Sequence, residues 1–398
     1  MTKKNLLYLV HRLPYPPNKG DKIASYYQFI QLQKDYHIYL GCFIDDPDDW
    51  QYQETVEAMA KACFIAPLHP KKSKLKSISG LLTGKALSLP YYYSNKMQTW
   101  VNHILQTKSI DAIVVFSSPM AQYIDIKQLK NYQSILDLVD VDSDKWRLYA
   151  QKKCFPLRQI YQRESKQLLK FERKMAQAFG ATLLVSKTEA ELFKKLAPES
   201  IDKINYRVQG VDAQFFSPNI PLKNPYLEQT KTLVFIGAMD YWPNIDAVIW
   251  FATQIFPEIL KQAPETQFYI VGMNPSEAVK ALANQQITVT GRVDDVRAYS
   301  HHAHAMIATL RIARGIQNKV LEAMAMQLPV IATPNALEGI EPCTEMLHYI
   351  ADNKTDLIKM TLVLLAKDRQ QDTKARDCVL THYDWHKNLQ KVSLLLKD

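Results

Sequence analysis

Short runs of apolar, often β-branched residues alternate with longer amphipathic stretches along the whole chain. Residues 5–10 (NLLYLV), 37–44 (HIYLGCFI), 111–118 (DAIVVFSS) and 133–142 (QSILDLVDVD) predict strands, with a helix over 22–36 between the first two. Residues 181–196 predict a strand that leads into a helix, and Ser186 is placed to cap it. The second half repeats the theme, with strands predicted at 232–239, 266–273, 287–293, 304–310 and 329–334 and helices at 244–262 and 318–327. Such an alternation implies parallel sheets covered by helices on both faces.

The two series are separated by residues 215–230 (FFSPNIPLKNPYLEQT), where three prolines suit a linker. The expected architecture is therefore α/β, with Rossmann-like domains over residues 1–218 and 230–378. Residues 379–398 form a C-terminal amphipathic helix expected to pack back on the first domain. Two such domains facing across a cleft would bind a ligand beyond the carboxyl ends of their strands. A length of 398 residues and a hydrophobic content of 47% are enough for two cores.

Composition narrows the classes. No run of about 18 apolar residues occurs, so no spanning helix is predicted. The apolar start of the chain is too short for a signal sequence and is followed at once by His11 and Arg12, so it reads as a first strand of a cytoplasmic protein. The net charge of +9, from 49 basic and 40 acidic residues, favours anionic partners without choosing among nucleotides, phosphates, acidic lipid and nucleic acid. The basic residues are not interleaved with aromatics in one patch, which sets nucleic acid aside. Cys42, Cys63, Cys154, Cys343 and Cys378 lie far apart with no CxxC pair and read as inert thiols of a reducing compartment.

Candidate chemistry concentrates before and inside the helix over 318–327. Arg311, Arg314, Gly315 and Lys319 gather positive charge and a flexible backbone at a helix N-terminus, and Glu322 sits one turn inside. Helix N-termini present free N–H groups and partial positive charge, so an anion such as a diphosphate would dock there. A carboxylate at Glu322 needs donors, and a ribose diol supplies two. A solvated basic loop with Glu322 in an ion pair fits the same residues, and the pattern leaves both open. His301, His302 and His304 lie on a predicted helix without acidic or Cys companions, so no metal site is expected. Tyr91, Tyr92 and Tyr93 read as a core-to-surface edge, and no GxGxxG is present. Lys71, Lys72, Lys74, Lys76 and Lys85, interspersed with Leu75, Ile78, Leu81 and Leu82, suit either an anionic membrane surface or an exposed basic loop.

The stretch RGIQNKVLEAMAMQLPVIATP (314–334) resembles the donor-binding motif of retaining, GT-B-fold nucleotide-sugar glycosyltransferases of group 1, whose pattern is E-x7-E followed by A-x-A-x-G-x-P-V. FIGAMDYWPNIDAVIWF (235–251), ITVTGRVDDVRAYSHHAHA (287–305), VQGVDAQFFSP (208–218) and HRLPYPPNKGDKIASYYQF (11–29) agree with it in order and spacing. DLVDVDSDKW (137–146) and GIQNKVLEAMA are similar to a bacterial subset of sugar transferases linked to exopolysaccharide and exosortase loci.

The resemblance implies that Glu322 binds the donor ribose. Arg311, Lys319 and the backbone N–H groups of Gly315, Ile316, Gln317 and Asn318 would hold the diphosphate, with Arg292, Val293 and Arg297 near the base and diphosphate. It further implies that Gly20 approaches the phosphates from the first domain, that Asp140 and Asp142 line the acceptor and sugar pocket, and that Ser117 and Ser118 stand where many relatives place a histidine. Two positions depart from the pattern: Arg314 replaces the first glutamate, and the loop GAMDYWPN lacks the Arg and Lys used on the diphosphate. We group Arg311, Arg314, Lys319, Asp140 and Asp142 as the candidate catalytic residues. The expected activity is transfer of a sugar from a nucleoside diphosphate donor to a glycan or lipid-linked glycan hydroxyl, with retention and without metal or cofactor. It would occur in the cytoplasm or at the inner face of the membrane. A nucleotide-sugar epimerase and a non-catalytic nucleotide-sugar-binding protein are the alternatives.

Overall fold

A computed structural model describes residues 3–18, 20–227, 230–313, 315–340 and 348–397. The chain divides into two compact units, Met1–Val208 with His386–Asp398, and Gln209–Trp385.

The first unit is a seven-stranded parallel sheet: β1 (Lys4–Val10), β2 (Tyr36–Ile44), β3 (Ala62–Pro67), β4 (Ala112–Phe116), β5 (Gln133–Val139), β6 (Ala181–Leu184) and β7 (Ile204–Tyr206), in the order β3-β2-β1-β4-β5-β6-β7. Helix α1 (Gly20–Leu32) links β1 to β2, and α2 (Pro70–Ser77) and α3 (Ser79–Thr83) follow β3. Helices α4 (Asp142–Gln151) and α5 (Leu157–Ala178) lie between β5 and β6. Tyr8 of β1 sits in register with Leu40 of β2 and Val114 of β4. Every residue of β4 is buried, as expected of a central strand covered on both faces, which reads as a continuous apolar run. Leu7, Leu9, Ile113, Val115, Leu136 and Leu184 anchor the core against Phe179 and Phe193.

A polar seam runs through this core. Arg207, just after β7, donates from Nε to Asp137 Oδ2 at 2.6 Å with both side chains fully buried. Gln28 Nε2 donates to the same oxygen at 2.9 Å, and Tyr8 donates its hydroxyl to Gln28 Oε1 at 2.8 Å. Buried charges persist only when paired in this way.

The second unit is a six-stranded parallel sheet: β8 (Lys231–Ile236), β9 (Thr266–Val271), β10 (Ile287–Gly291), β11 (Ala305–Ala308), β12 (Val330–Ala332) and β13 (His348–Ile350), ordered β10-β9-β8-β11-β12-β13. Helix α6 (Trp242–Trp250) follows β8, and α7 (Asn318–Ala325) joins β11 to β12. The last helix, α8 (Trp385–Leu395), follows residues of the second unit, but from His386 onward it counts with the first. There Gln31 Nε2 donates to Ser393 Oγ at 3.3 Å, and Tyr36 donates to the Leu396 carbonyl at 3.4 Å.

Several local expectations change. The helix expected over 244–262 is broken into α6, a π turn over Phe251–Ile255 and a short helix over Phe256–Leu260. Pro257 has no N–H to give to the carbonyl of Thr253, so the hydrogen-bond register widens at that turn. His304 is not on a helix with His301: that helix ends at His302, and His304 Nδ1 accepts from the Thr232 N–H at 3.0 Å. β3, β7 and β13 were not predicted from the sequence; β7 and β13 have three residues each, too few for a periodicity to register. Cys378 is disulfide-bonded, against the expectation of inert thiols throughout, whereas Cys42, Cys63 and Cys154 are free. Among the described residues no helix is long and apolar enough to cross a membrane.

Candidate functional site

The carboxyl ends of β8, β9, β10 and β11 share one edge of the second sheet. Their loops pack so closely that glycine is required: a Cβ on Gly272 would lie 1.7 Å from the carbonyl oxygen of Gly237. A Cβ on Gly237 would lie 2.7 Å from Asn244 Nδ2 and 3.0 Å from Lys319 Nζ. The backbone after β8 is thereby left bare beside an amide and an ammonium.

Lys319, in the first turn of α7, donates from Nζ to Asn244 Oδ1 and stands 4.5 Å above the Phe235 ring. Asn244 is buried and fixed in turn by donation from Nδ2 to the Ala238 carbonyl at 2.9 Å. One turn further along α7, Glu322 makes no side-chain hydrogen bond or ion pair among the described residues and feels only the field of Lys319. Burial lowers Lys319 to about 7, with Glu322 opposing, and burial raises Glu322 to about 7, with Lys319 opposing. Both side chains keep some surface exposure. The helix begins without a side-chain cap, so its first N–H groups are left to other acceptors. Asn244, Lys319 and Glu322 thus set an ammonium, a carboxyl and a bare helix start along one strand edge, an arrangement able to take a phosphate at one end and a diol at the other.

The loop before α7 is built for close backbone approach. Gly315 has φ of 70°, a left-handed conformation. Gln317 Nε2 donates to the Gly315 carbonyl at 3.1 Å, and Asn318 Oδ1 accepts from Gln209 Nε2 at 3.2 Å. A Cβ on Gly339 would lie 3.2 Å from Ile316 Cγ1, which places Ile316 against that turn. Thr333 Oγ1 and Asn335 Nδ2 hold the other arm by donating to the carbonyls of Leu310 (2.5 Å) and Arg311 (2.8 Å). Arg314 lies outside the described residues.

Other candidates are committed to partners of their own. Arg311 forms a fork with Asp246 of α6, donating from Nε at 3.0 Å, and lies over the Trp250 ring at 5.3 Å. This pair borders a cavity of about 370 Å³ lined also by Trp242 and Ile249. Arg297 is held by Asp295 at 2.7 Å and stacks on Phe215 at 3.8 Å, donating also to the Phe215 carbonyl. Arg292 is exposed and Val293 half-buried in the loop after β10.

Gly20, Asp140 and Asp142 belong to the first unit. Gly20 opens α1, and the next residue, Asp21, accepts from Arg12 Nη1 at 2.6 Å and contacts His11 Nε2 at 3.0 Å. Burial would raise the Asp21 carboxyl, but His11 and Arg12 outweigh it and hold the group well below the usual range. Asp140 and Asp142 share Lys145, at 2.6 and 3.3 Å. Beneath them Glu172 is fully buried and accepts from Ser143 Oγ at 2.5 Å; burial and the charge of Asp142 raise it to about 8. Ser117 has φ of 78°, and the buried Ser118 Oγ has no hydrogen-bond partner among the described residues.

The sequence reading did not single out Asn244 or Asp246. A search for the missing Arg and Lys in GAMDYWPN passes over Asn244, although an Asn two residues into a helix that opens with Trp-Pro has an amide to spend on the neighbouring loop.

Residues 230–367 match a family model described as glycosyl transferases group 1. A search of curated protein sequences finds no match. Over nearly the full length of both chains, the fold is similar to sucrose-phosphate synthase from Thermosynechococcus elongatus (TM-score 0.69, 14% identity, 99% of this chain and 98% of that one). It is similar also to HepE from Anabaena in complex with UDP (0.66, 13%, 99% of each) and to WaaG, a glycosyltransferase involved in lipopolysaccharide biosynthesis (0.65, 14%, 98% and 99%). The fold is GT-B, and the chain resembles group 1 glycosyl transferases, with their domain in its second unit.

Proposed function

We propose that this protein transfers a sugar from a nucleoside diphosphate donor to a hydroxyl of a glycan or lipid-linked glycan, with retention and without a metal ion, in cell-surface or exopolysaccharide synthesis. The observation that carries this reading is Glu322, a carboxyl one turn inside α7 with no side-chain hydrogen bond among the described residues, beside the ammonium of Lys319. A ribose diol donates twice to such a carboxylate, and the bare start of α7 with Lys319 receives the diphosphate.

Charge develops on the diphosphate as the glycosidic bond breaks. Lys319 and the N–H groups from Gly315 to Asn318 are fixed before the reaction and stabilise that charge without reorganising. The acceptor proton passes to an oxygen of the departing phosphate, so no side-chain base is required. Arg314 adds a cation in place of the usual glutamate and favours either the leaving group or an acidic donor sugar. Gly20, Asp140 and Asp142 serve the sugar and acceptor side, and Arg292, Val293 and Arg297 the base side. UDP, the ligand of HepE, is the first nucleotide to try.

A thermal-shift panel of nucleoside diphosphates and their sugars tests the reading, since a ligand that binds only the folded state raises its stability. Stabilisation by one base series, with transfer only when acceptor is added, is the expected result. Interconversion of donor sugars without acceptor would mark an epimerase, binding without turnover a non-catalytic protein, and no stabilisation by any of them would end the reading.

A further inference from the structure

Helix α6 serves the nucleotide edge with one side only. Asn244 points inward, where it holds Lys319, and Ala247 and Val248 are buried with it. Asp246 follows Asn244 by two positions, about 200° around a helix, and so lies on nearly the opposite side. Trp242, Asp246 and Trp250 follow one another at i, i+4 and i+8, a single row along that outer side, with Ile245 and Ile249 beside it. These five residues line the cavity of about 370 Å³ that Arg311 borders. That volume falls within the range of small-molecule sites, about 300–1,000 Å³.

The lining combines two chemistries. Trp242 is 51% exposed and Trp250 half-buried, so both indoles offer apolar surface. Asp246, one turn from each, accepts from Arg311 Nε at 3.0 Å and from Nη2 at 2.5 Å, so the two charges of the lining offset each other. The π turn supplies the rest. It buries Phe251, Ala252 and Ile255 and turns the consecutive Thr253 and Gln254 outward, where both line the cavity. Thr253 Oγ1 donates to the Ile249 carbonyl at 2.7 Å and keeps its lone pairs to accept, while the Gln254 amide can both donate and accept. Single π turns inside helices recur at functional sites because they re-aim side chains in this way.

We propose that the outer side of α6, with Arg311, is a binding site for a neutral oligosaccharide, separate from the nucleotide edge. A pyranose presents an apolar face of ring C–H groups and a rim of hydroxyls that both donate and accept. The indoles match the face, whereas Asp246 accepts, Arg311 donates and Gln254 does both at the rim. A phosphate gains little from a guanidinium already forked onto a carboxylate, and Asp246 repels it. A cationic ligand meets Arg311 in the same way. A nucleobase finds stacking surface here but no cation for its phosphates. The site gives the protein a second hold on a glycan chain, beyond the proposed transfer, and it is tested without donor or turnover.

The test labels the full chain with 5-fluorotryptophan and follows its fluorine resonances. The chain has six tryptophans, and Trp242→Phe and Trp250→Phe assign the two that matter. The probes are neutral hexasaccharides of glucose, mannose, galactose and N-acetylglucosamine, and UDP. We expect at least one hexasaccharide to move the Trp242 and Trp250 resonances and UDP to move neither. Trp242→Ala should weaken that binding about 10-fold, the scale of a lost aromatic contact. Gln254→Ala should weaken it about 5-fold, the scale of one hydrogen bond. Both side chains are exposed, so both variants should fold and keep wild-type stabilisation by UDP. No movement with any hexasaccharide, movement confined to the other tryptophans or produced by UDP alone, or unchanged affinity in Trp242→Ala would overturn the site. Failure of the hexasaccharides with intact nucleotide stabilisation rejects this site alone, whereas hexasaccharide binding without nucleotide stabilisation rejects the transferase reading alone.

Discussion

Lys319 and Glu322, one turn apart on α7, are driven toward neutrality from opposite sides, the ammonium lowered to about 7 and the carboxyl raised to about 7, each mainly by burial. The lysine contributes stability above its ordinary 10.5 that is withdrawn as pH falls toward 7, and the glutamate contributes stability below its ordinary 4.5 that is withdrawn as pH rises toward 7. Both penalties coincide near neutral pH in the free protein. A bound diphosphate favours the ammonium. Nucleoside diphosphate affinity should therefore fall as pH rises above about 7, and Lys319→Met should bind more weakly with that dependence gone. Calorimetric titrations from neutral to alkaline pH decide it; an unchanged slope in the variant refutes the role of Lys319.

Truncating Glu322→Ala should weaken nucleotide binding by about 1.5–3 kcal/mol, the scale of hydrogen bonds to a charged group, while leaving the fold intact. Deoxyribose analogues should show the same deficit in the wild type and no further deficit in the variant. Wild-type affinity in Glu322→Ala would remove the ribose assignment.

Arg311 and Asp246 should behave as a unit. Because the guanidinium is already forked onto Asp246, Arg311→Ala and Asp246→Ala should reduce transfer by similar factors, and the double variant should be no worse than either. In stability, an exposed pair of this kind is worth only about 0.2–1 kcal/mol. A large loss on Arg311→Ala with full activity in Asp246→Ala would mean that Arg311 leaves Asp246 to act on the donor directly.

Glu172 is raised to about 8 by burial and by the neighbouring Asp142, against the help of Ser143. Its contribution to stability is complete below 4.5, the ordinary value, and is lost as pH rises through about 8. Relative to Glu172→Gln, the wild type should lose stability steadily across that window. Urea midpoints of the two proteins at acidic and alkaline pH measure it, and parallel midpoints would show that Glu172 ionises freely.

The Asp137–Arg207 pair should be costly to break and cheap to replace. Arg207→Met or Asp137→Ala leaves a buried charge alone and should cost about 3–5 kcal/mol in denaturant unfolding. Asp137→Leu with Arg207→Met should cost far less than the sum. Among the described residues both Arg207 terminal nitrogens lack a hydrogen-bond partner, so part of the cost of burying the guanidinium is not recovered.

The chain's alternating pattern determined the α/β class and the parallel sense of its long strands, because short, largely apolar runs such as β1, β4, β8 and β9, each followed by a longer helical stretch, are what a parallel sheet covered on both faces requires. The spacing over 314–334 likewise carried the helix start, Gly315, Lys319 and Glu322, since those relations are local and one turn long. Only the tertiary structure decided the rest. The π turn hangs on where Pro257 falls in a helix that otherwise reads as one piece. Asn244 meets Lys319 across 75 residues, and Arg311 turns to Asp246 across 65, because strands adjacent in the sheet are distant in the chain. Charge in a sequence says that a partner exists; which partner a long, flexible guanidinium or ammonium reaches is fixed by the packing of elements that local pattern does not encode.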